Sequence, residues 1–132
     1  MTQLGHAELR GDLDLAVLLS GLRGALREAG LPPVEVARLL TVSSELGRNM
    51  LKYAGGGWLW VEMSGSAPRW VEVRAEDHGP GIADVAAALT DRFSTGGTLG
   101  LGLPGVRRMM DQLDIQTTVG AGTRVRARRW LP

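Results

Sequence analysis

The chain alternates between two hydrophobic periods, and the changes between them divide it into nine predicted elements. Apolar residues recur every three to four positions in the first part of the chain, as on the buried face of a helix. In the middle and at the end they occupy alternate positions, as in a strand that is buried on one side. Glycine and proline clusters separate these segments and predict the turns. In chain order, the predicted elements are a strand at 6–10, a helix capped by Asp12 or Asp14 and running to about Ala29, a helix from Pro32-Pro33 to about Tyr53, strands at 58–63 and 69–76, a short helix at 84–89, a helix at 104–113, and strands at 115–119 and 123–130.

This order, β-α-α-β-β-α-α-β-β, predicts the fold class. In the strand at 69–76, apolar and charged residues alternate, so one face of the sheet is expected to be buried and the other to meet solvent. We therefore expect an α/β protein: a two-layer sandwich with helices on one face of a mostly antiparallel mixed sheet. No repeat or linker interrupts the pattern, so one domain over 1–132 is predicted, with a loop at 90–98.

Composition narrows the classes of function. The 132 residues are 44% hydrophobic, enough for a core, and 15 basic residues balance 14 acidic ones, so nothing calls for a nucleic-acid partner. There is no cysteine for a disulfide or a thiolate metal site. No stretch approaches the roughly 20 apolar residues of a membrane span, and the N-terminal residues lack the pattern of a signal peptide. We expect a cytoplasmic protein, and its four tryptophans are expected in the core or on a partner-facing surface.

Three polar residues share one face of the second predicted helix. Glu45, Asn49 and Lys52 are four and three positions apart, which places them on one face, opposite Leu39, Leu46 and Met50. A carboxylate, an amide oxygen and an ammonium can serve a hydroxyl nucleophile, a Mg²⁺ ion and a phosphate, because Mg²⁺ prefers oxygen ligands and keeps several waters. The other interpretation is an ordinary solvated polar face.

A turn rich in glycine follows the strand at 69–76. The carboxylate of Asp77, at the start of Asp77-His-Gly79-Pro-Gly81, can accept a hydrogen bond from an exocyclic amine such as that of adenine. The glycines let the backbone approach such a ring closely. The alternative is a strand-to-helix turn in which Asp77 caps its own backbone. Gly120-Ala-Gly122-Thr123 is by itself a hairpin turn, but its threonine hydroxyl can support Asp77 at an adenine.

A second glycine-rich segment, Gly100-Leu-Gly102-Leu-Pro-Gly105, formally fits G-x-G-x-x-G. The dinucleotide-binding version follows a strand early in a βαβ unit, whereas this one follows a loop late in the chain. The version in eukaryotic protein kinases needs partner motifs that are absent. Free N–H groups and the positive end of a helix dipole at Pro104 suit a polyphosphate. Close packing of helix on sheet is the alternative.

Taken together, these segments resemble the GHKL ATPase superfamily, which includes gyrase B, Hsp90, histidine kinases and MutL. The likeness is to the N-box at 45–49 and to the three glycine boxes at 77–81, 100–102 and 120–123. Within the superfamily, the chain is most similar to the anti-sigma-factor type of serine kinase, in particular the RsbT-type switch kinases of the stressosome. That closer likeness covers nearly the whole chain. It is carried by Ser44-Glu-Leu-Gly-Arg-Asn49, Asp77-His-Gly-Pro-Gly-Ile82, Phe93-Ser-Thr95, Gly100-Leu-Gly-Leu-Pro-Gly105 and Arg108-Met-Met-Asp111.

The resemblance implies ATP and Mg²⁺ in a pocket between the helices and the sheet. Asn49 would hold Mg²⁺, and Glu45 would be the catalytic residue that orients or deprotonates the attacking hydroxyl. Asp77 would bind the adenine amino group with support from Thr123, and 92–102 would form a lid over the phosphates. The implied nucleotide-binding residues are Asn49, Lys52, Asp77, Gly79, Gly81, Ile82, Gly97, Thr98, Leu99, Gly100, Leu101, Gly102, Leu103 and Thr123.

The resemblance also implies the substrate and partners. The substrate would be a serine on a STAS-domain antagonist protein, after which the kinase can bind a PP2C-type phosphatase or a sigma factor. The alternative function is an ATP-gated binding module, such as an anti-sigma factor or a phosphatase activator, with little catalysis. Because Glu45 and Asn49 are both present, the kinase is favoured.

Overall fold

The computed structural model describes residues 1–89 and 102–132. Within them, five strands and four helices follow the predicted order. They are β1 (Thr2–Leu9), α1 (Asp12–Glu28), α2 (Pro33–Ala54), β2 (Gly57–Met63), β3 (Trp70–Asp77), α3 (Val85–Ala88), α4 (Gly102–Met109), β4 (Gln112–Thr118) and β5 (Gly122–Trp130). The loop predicted at 90–98 lies outside the described residues.

The strands form one sheet in the order β1-β2-β3-β5-β4. All four of the strand pairings in the described part of the chain are antiparallel. The apolar residues of β3, Val71, Val73 and Ala75, are buried, and α2 packs against β2 and β3 while α1 packs on β1. The predicted sandwich, with helices on one face of a mostly antiparallel sheet, is therefore confirmed.

Three predicted boundaries are wrong. The first strand begins at Thr2 rather than at residue 6 and pairs along its length with β2. The helix predicted at 104–113 ends at Met109, and the last strand pair begins at Gln112. From Gln112 onward, half-buried and exposed residues alternate strictly, as on an edge strand. The carboxylate of Asp111 accepts a hydrogen bond from the backbone N–H of Trp130 at 2.8 Å, which ties the turn after α4 to β5.

The two long helices begin and end for identifiable reasons. The carboxylate of Asp14 accepts hydrogen bonds from the backbone N–H groups of Arg10 (2.7 Å) and Gly11 (3.2 Å), so Asp14 rather than Asp12 caps α1. Pro33 is the first residue of α2, where its missing N–H has no partner in any case. Gly55 ends α2 in the left-handed conformation, with φ of +76°.

A buried ionic cluster fixes α4 against α2 and β5. Both carboxylate oxygens of Glu35 accept hydrogen bonds from Arg129, at 3.0 and 3.1 Å, and Glu35 is only 5% exposed. These hydrogen bonds raise the pKa of Arg129 above its ordinary value, so the guanidinium stays charged. Arg129 also contacts Asp111 at 3.3 Å, and Arg38 donates to the backbone oxygen of Met109 at 3.0 Å. The end of α4 is thus held from two sides.

On the opposite face of the sheet, tryptophan and charged side chains take the place of helices within the described part of the chain. The guanidinium of Arg74 lies 4.7 Å from the ring centroid of Trp60, and that of Arg128 lies 4.0 Å from Trp70, both within the range of a cation–π contact. The tryptophans are part of this outer layer rather than of the core between helices and sheet. No helix in the described part of the chain is both long and apolar enough to cross a membrane.

Candidate nucleotide-binding site

An open cavity of about 1030 Å³, solvent at its mouth included, lies between α2, the sheet and the start of α4. Helix α2 forms one wall. The C-terminal end of β3 and the N-terminal end of β5 form the floor, and the turn after β3 closes one end. The described residues that line it are Leu46, Asn49, Met50, Tyr53, Ala54, Ala75, Asp77, Pro80, Gly81, Ile82, Ala88, Gly102, Leu103, Pro104, Thr123 and Val125.

Glu45 and Asn49 lie one helical turn apart on α2. Asn49 is partly exposed and lines the cavity. Glu45 is only 7% exposed, so the interpretation of this stripe as an ordinary solvated face is wrong for Glu45. The predicted separation from the apolar face is also wrong, because Leu46 and Met50 line the cavity together with Asn49. The cavity lies along the border between the apolar and polar faces of α2, where both kinds of side chain reach it.

The buried carboxylate of Glu45 contacts the start of α4. Its Oε2 accepts a hydrogen bond from the backbone N–H of Gly102 at 3.2 Å. Gly102 is the first residue of α4, as the structure describes it, and has a φ of +59°, which favours glycine. Because the first N–H groups of a helix have no partner within it, this end attracts anionic groups. The start of α4 forms one end of the cavity, and Glu45 contacts that end through Gly102 but is not itself among the lining residues.

Asp77 is the last residue of β3 and lies at the other end of the cavity. Its Oδ1 accepts hydrogen bonds from the backbone N–H of Gly79 at 2.8 Å and of Thr123 at 3.3 Å. The predicted turn, in which Asp77 caps its own backbone, is present. Both of these hydrogen bonds use Oδ1. Among the described residues none donates to Oδ2, which can therefore accept a hydrogen bond from a ligand. The turn and a ligand-binding role are compatible.

Two glycines of the turn are required by close packing. A Cβ at Gly79 would lie 2.5 Å from the Cβ of Ala54, at the end of α2. Gly81 has a φ of +78°, and a Cβ there would lie 2.5 Å from the backbone oxygen of Thr118. Glycine at both positions lets the turn pack between the end of α2 and the β4–β5 hairpin. This packing brings Asp77, Gly81 and Thr123 into one cavity wall.

Thr117 also belongs to this hydrogen-bond network and was not predicted from the sequence. It lies on β4, and its Oγ1 accepts a hydrogen bond from the backbone N–H of Ile82 at 2.8 Å. The same oxygen lies 2.9 Å from the hydroxyl of Thr123. Along β4, Thr117 continues the half-buried positions of Leu113 and Ile115. A polar residue at the inward register of a strand is the signal that could have identified it.

Other predicted site residues have different positions. Gly102 and Leu103 line the cavity, whereas Gly97, Thr98, Leu99, Gly100 and Leu101 lie outside the described residues. Lys52 is exposed, with its ammonium 5.1 Å from the ring centroid of Tyr53, and does not belong to the cavity lining described above.

The donor set around the cavity fits a hydrated Mg²⁺ better than a metal held by the protein alone. The described residues contain no group of three or more His, Cys, Asp or Glu side chains that could hold a metal ion. Mg²⁺ often binds through one or two protein oxygens together with phosphate oxygens and waters. The amide oxygen of Asn49, on the cavity wall, suits that role.

Residues 35–132 match the family described as histidine kinase-, DNA gyrase B-, and HSP90-like ATPase. The chain belongs to this ATPase family. The match includes α2, the turn after β3, the start of α4 and the β4–β5 hairpin, which are the elements that surround the cavity. Membership of this ATPase family identifies ATP as the nucleotide that the fold binds.

A curated relative is similar over most of the chain. Serine/threonine-protein kinase RsbT of Bacillus subtilis (strain 168) is 42% identical over 110 residues, which cover 83% of this chain and 83% of that protein.

Two solved structures share the ATPase fold. A chain of the SiaB–SiaC complex from Pseudomonas aeruginosa superposes with a TM-score of 0.62 at 14% identity, covering 98% of this chain and 91% of that one. The kinase domain of the blue-light-activated histidine kinase from Erythrobacter litoralis EL346 gives a TM-score of 0.57 at 22% identity, covering 95% and 65%. At these identities the likeness concerns the fold.

Proposed function

We propose that this chain is an ATP-dependent protein-serine kinase of a bacterial partner-switching pathway, with residues 1–132 forming one ATP-binding kinase domain. The observation that carries the proposal is the buried carboxylate of Glu45 at the N-terminus of α4, whose first residues line the same cavity as Asp77. An acceptor for a base amine and a carboxylate beside an anion-attracting helix end are two of the groups that a phosphoryl transfer from ATP uses. The 42% identity to a serine/threonine-protein kinase supports it.

The adenine end of the site is formed by Asp77 and Thr123. Oδ2 of Asp77 accepts a hydrogen bond from the exocyclic amine of adenine, while Oδ1 is held by the backbone of Gly79 and Thr123. Because Oδ1 is fixed by two donors, the carboxylate cannot turn away from the base. The ring lies against the turn that contains Gly79, Gly81 and Ile82, and apolar side chains of the cavity cover its faces.

The phosphate end lies between α2 and α4. The amide of Asn49 holds Mg²⁺, which neutralises charge on the phosphate oxygens when bound. The first turn of α4 binds phosphate oxygens, Leu103 through its N–H and Gly102 by letting the backbone approach closely, since the N–H of Gly102 already donates to Glu45. Lys52 and the segment 97–101 complete this end in the proposal, Lys52 by reaching a phosphate with its ammonium.

Glu45 performs the proton chemistry. Its carboxylate orients the serine hydroxyl of the substrate protein and takes its proton as the oxygen attacks the γ-phosphorus of ATP. The bond between the γ-phosphorus and the bridging oxygen breaks, ADP leaves, and phosphoserine forms on the substrate. The burial of Glu45 and its contact with the start of α4, where the phosphates are proposed to bind, support this role.

The substrate and partners follow from the likeness to the anti-sigma type of serine kinase. We propose a serine on a STAS-domain antagonist protein as the phosphate acceptor. After transfer, the kinase binds a PP2C-type phosphatase or a sigma factor, and it acts in the cytoplasm. The intact pair of Glu45 and Asn49 supports a kinase over an ATP-gated binding module.

The test combines binding and transfer on one sample. ATP affinity is measured by calorimetry with and without Mg²⁺, and the same protein is then incubated with γ-labelled ATP and a STAS-domain protein of the same genome. We expect Mg²⁺-dependent binding and label on serine. ATP binding without transfer to any STAS-domain protein of that genome would contradict the kinase and favour the ATP-gated module. Absence of ATP binding would contradict the site itself.

A further inference from the structure

The hydroxyl of Thr117 is the centre of three polar contacts behind the adenine end of the cavity. Its Oγ1 accepts a hydrogen bond from the backbone N–H of Ile82 at 2.8 Å. It lies 3.2 Å from the backbone oxygen of Gly122 and 2.9 Å from Oγ1 of Thr123. Asp77 and Thr123 line the cavity, whereas Thr117 lies behind them and is not part of its lining.

One assignment of the protons satisfies all three contacts. A threonine hydroxyl has one hydrogen to donate and two lone pairs to accept with. The backbone oxygen of Gly122 can only accept, so the hydrogen of Thr117 points to it. The Ile82 N–H uses one lone pair of Thr117, and the other then accepts the hydrogen of Thr123. The reverse assignment would set two acceptors, Thr117 and Gly122, against each other without a proton, which is unfavourable.

We propose that Thr117 is a positioning residue that determines the base specificity of the kinase. By accepting the hydrogen of the Thr123 hydroxyl, it makes Thr123 an acceptor toward the cavity. The inference rests on the proposed role of Asp77 at the adenine. Oδ2 of Asp77 is an acceptor as well, so both of these side chains present acceptors to the edge of the base.

Such an edge selects a purine by the group at its position 6. A 6-amino purine offers two N–H hydrogens to this end of the cavity. A 6-oxo purine, such as hypoxanthine or guanine, brings a carbonyl oxygen against acceptors and leaves it without a donor, which costs affinity. Discrimination of this kind is strong where a buried polar group is left unpaired.

The test compares ATP with ITP, the 6-oxo analogue, by calorimetric titration of the full chain. Thr117→Val removes the hydroxyl at nearly unchanged shape, so the hydrogen of Thr123 can turn toward the ligand and donate to the 6-oxo group. We expect the ratio of ATP to ITP affinity to fall about fivefold, the equivalent of one ordinary hydrogen bond. Thr117→Ser keeps the hydroxyl and should keep the wild-type ratio. A structural loosening of the turn would weaken both nucleotides alike and leave the ratio unchanged.

A double-mutant cycle tests whether Thr117 acts through Thr123. In a Thr123→Val background, Thr117→Val should leave the ratio unchanged, because the hydroxyl that it frees is gone. An unchanged ratio in Thr117→Val alone, or an equal fall in both backgrounds, would overturn the inference. If Thr117→Val does not fold, Thr117→Ala, which fits any space that threonine fills, makes the same test.

The variant Asp77→Asn separates failure of this inference from failure of the proposed site. If Asp77→Asn weakens ATP binding while Thr117→Val leaves the ratio unchanged, the role of Thr117 alone is wrong. If Asp77→Asn binds ATP with wild-type affinity, the adenine site is wrong, and the inference fails with it.

Discussion

Oε2 of Glu45 lies 3.2 Å from the backbone nitrogen of Gly102 and accepts its hydrogen. This contact joins two segments 57 positions apart in the sequence, the middle of α2 and the start of α4. It places a negative charge where the helix N-terminus stabilises one. In the proposed function, the phosphate oxygens of ATP bind at the same helix end. The nucleotide and Glu45 therefore both interact with the positive end of the α4 dipole.

Asp77→Asn should bind ATP about 30-fold more weakly, the order of a lost hydrogen bond to a charged group. The asparagine oxygen can still accept from the N–H of Gly79, but the amide then presents its NH₂ to the amine of adenine, donor against donor. Calorimetric titration with ATP checks this. Asp114→Asn, on the outer face of the sheet at the edge strand, is the matched control and should bind normally. Near-normal affinity of Asp77→Asn would remove Asp77 from the adenine site.

Gly81→Ala and Gly24→Ala should change stability in opposite directions. At Gly81 the φ of +78° and the contact of an added Cβ with the backbone of Thr118 should cost about 1–3 kcal/mol of unfolding free energy. Gly24 lies inside α1 with open space around it, so alanine there should stabilise by up to about 1 kcal/mol. Urea unfolding of both variants, with ATP absent, measures the difference. Equal effects of the two substitutions would contradict the packing of the turn.

Arg129→Met should destabilise the fold by about 3 kcal/mol, because it leaves the buried carboxylate of Glu35 with a weakened set of partners. Arg38, 3.3 Å from the same carboxylate, remains and limits the loss. The control, Arg10→Met, breaks an exposed ion pair with Glu8 and should change stability by less than about 1 kcal/mol. Denaturant unfolding at neutral pH compares the two. A loss at Arg129 no larger than at Arg10 would mean that the cluster does not hold α4.

Hydrophobic periodicity was enough to predict the order of the nine elements and the layers. A helix buried on one face has apolar residues every three to four positions, and a strand buried on one face has them at alternate positions. It failed where two periods overlap. Residues 110–113 fit the end of a helix, and only the alternation from Gln112 to Thr118 reveals that an edge strand begins there. Local spacing also could not reveal that Glu45 is buried, since its burial depends on α4, far along the chain.

The site was predictable as a set of motifs but not as a network. The sequence paired Asp77 with the hydroxyl of Thr123 at an adenine, and the structure places the two residues opposite each other in the β3–β5 register. Thr117 has no motif of its own, because its role depends on three partners brought together by the turn and the hairpin. Contacts of this kind follow from tertiary packing, which one sequence does not display.

The most direct test of the central claim is phosphoryl transfer by Glu45→Gln with ATP binding measured on the same sample. Glutamine keeps an oxygen that can accept from Gly102 but cannot take a proton from serine. We predict binding of ATP at wild-type affinity or tighter, because a negative charge beside the phosphates is gone, and transfer reduced by about 100-fold or more. Glu28→Gln, exposed near the end of α1, should behave as wild type in both measurements. Transfer at the wild-type rate in Glu45→Gln would contradict the account, since the carboxylate would then have no part in the chemistry.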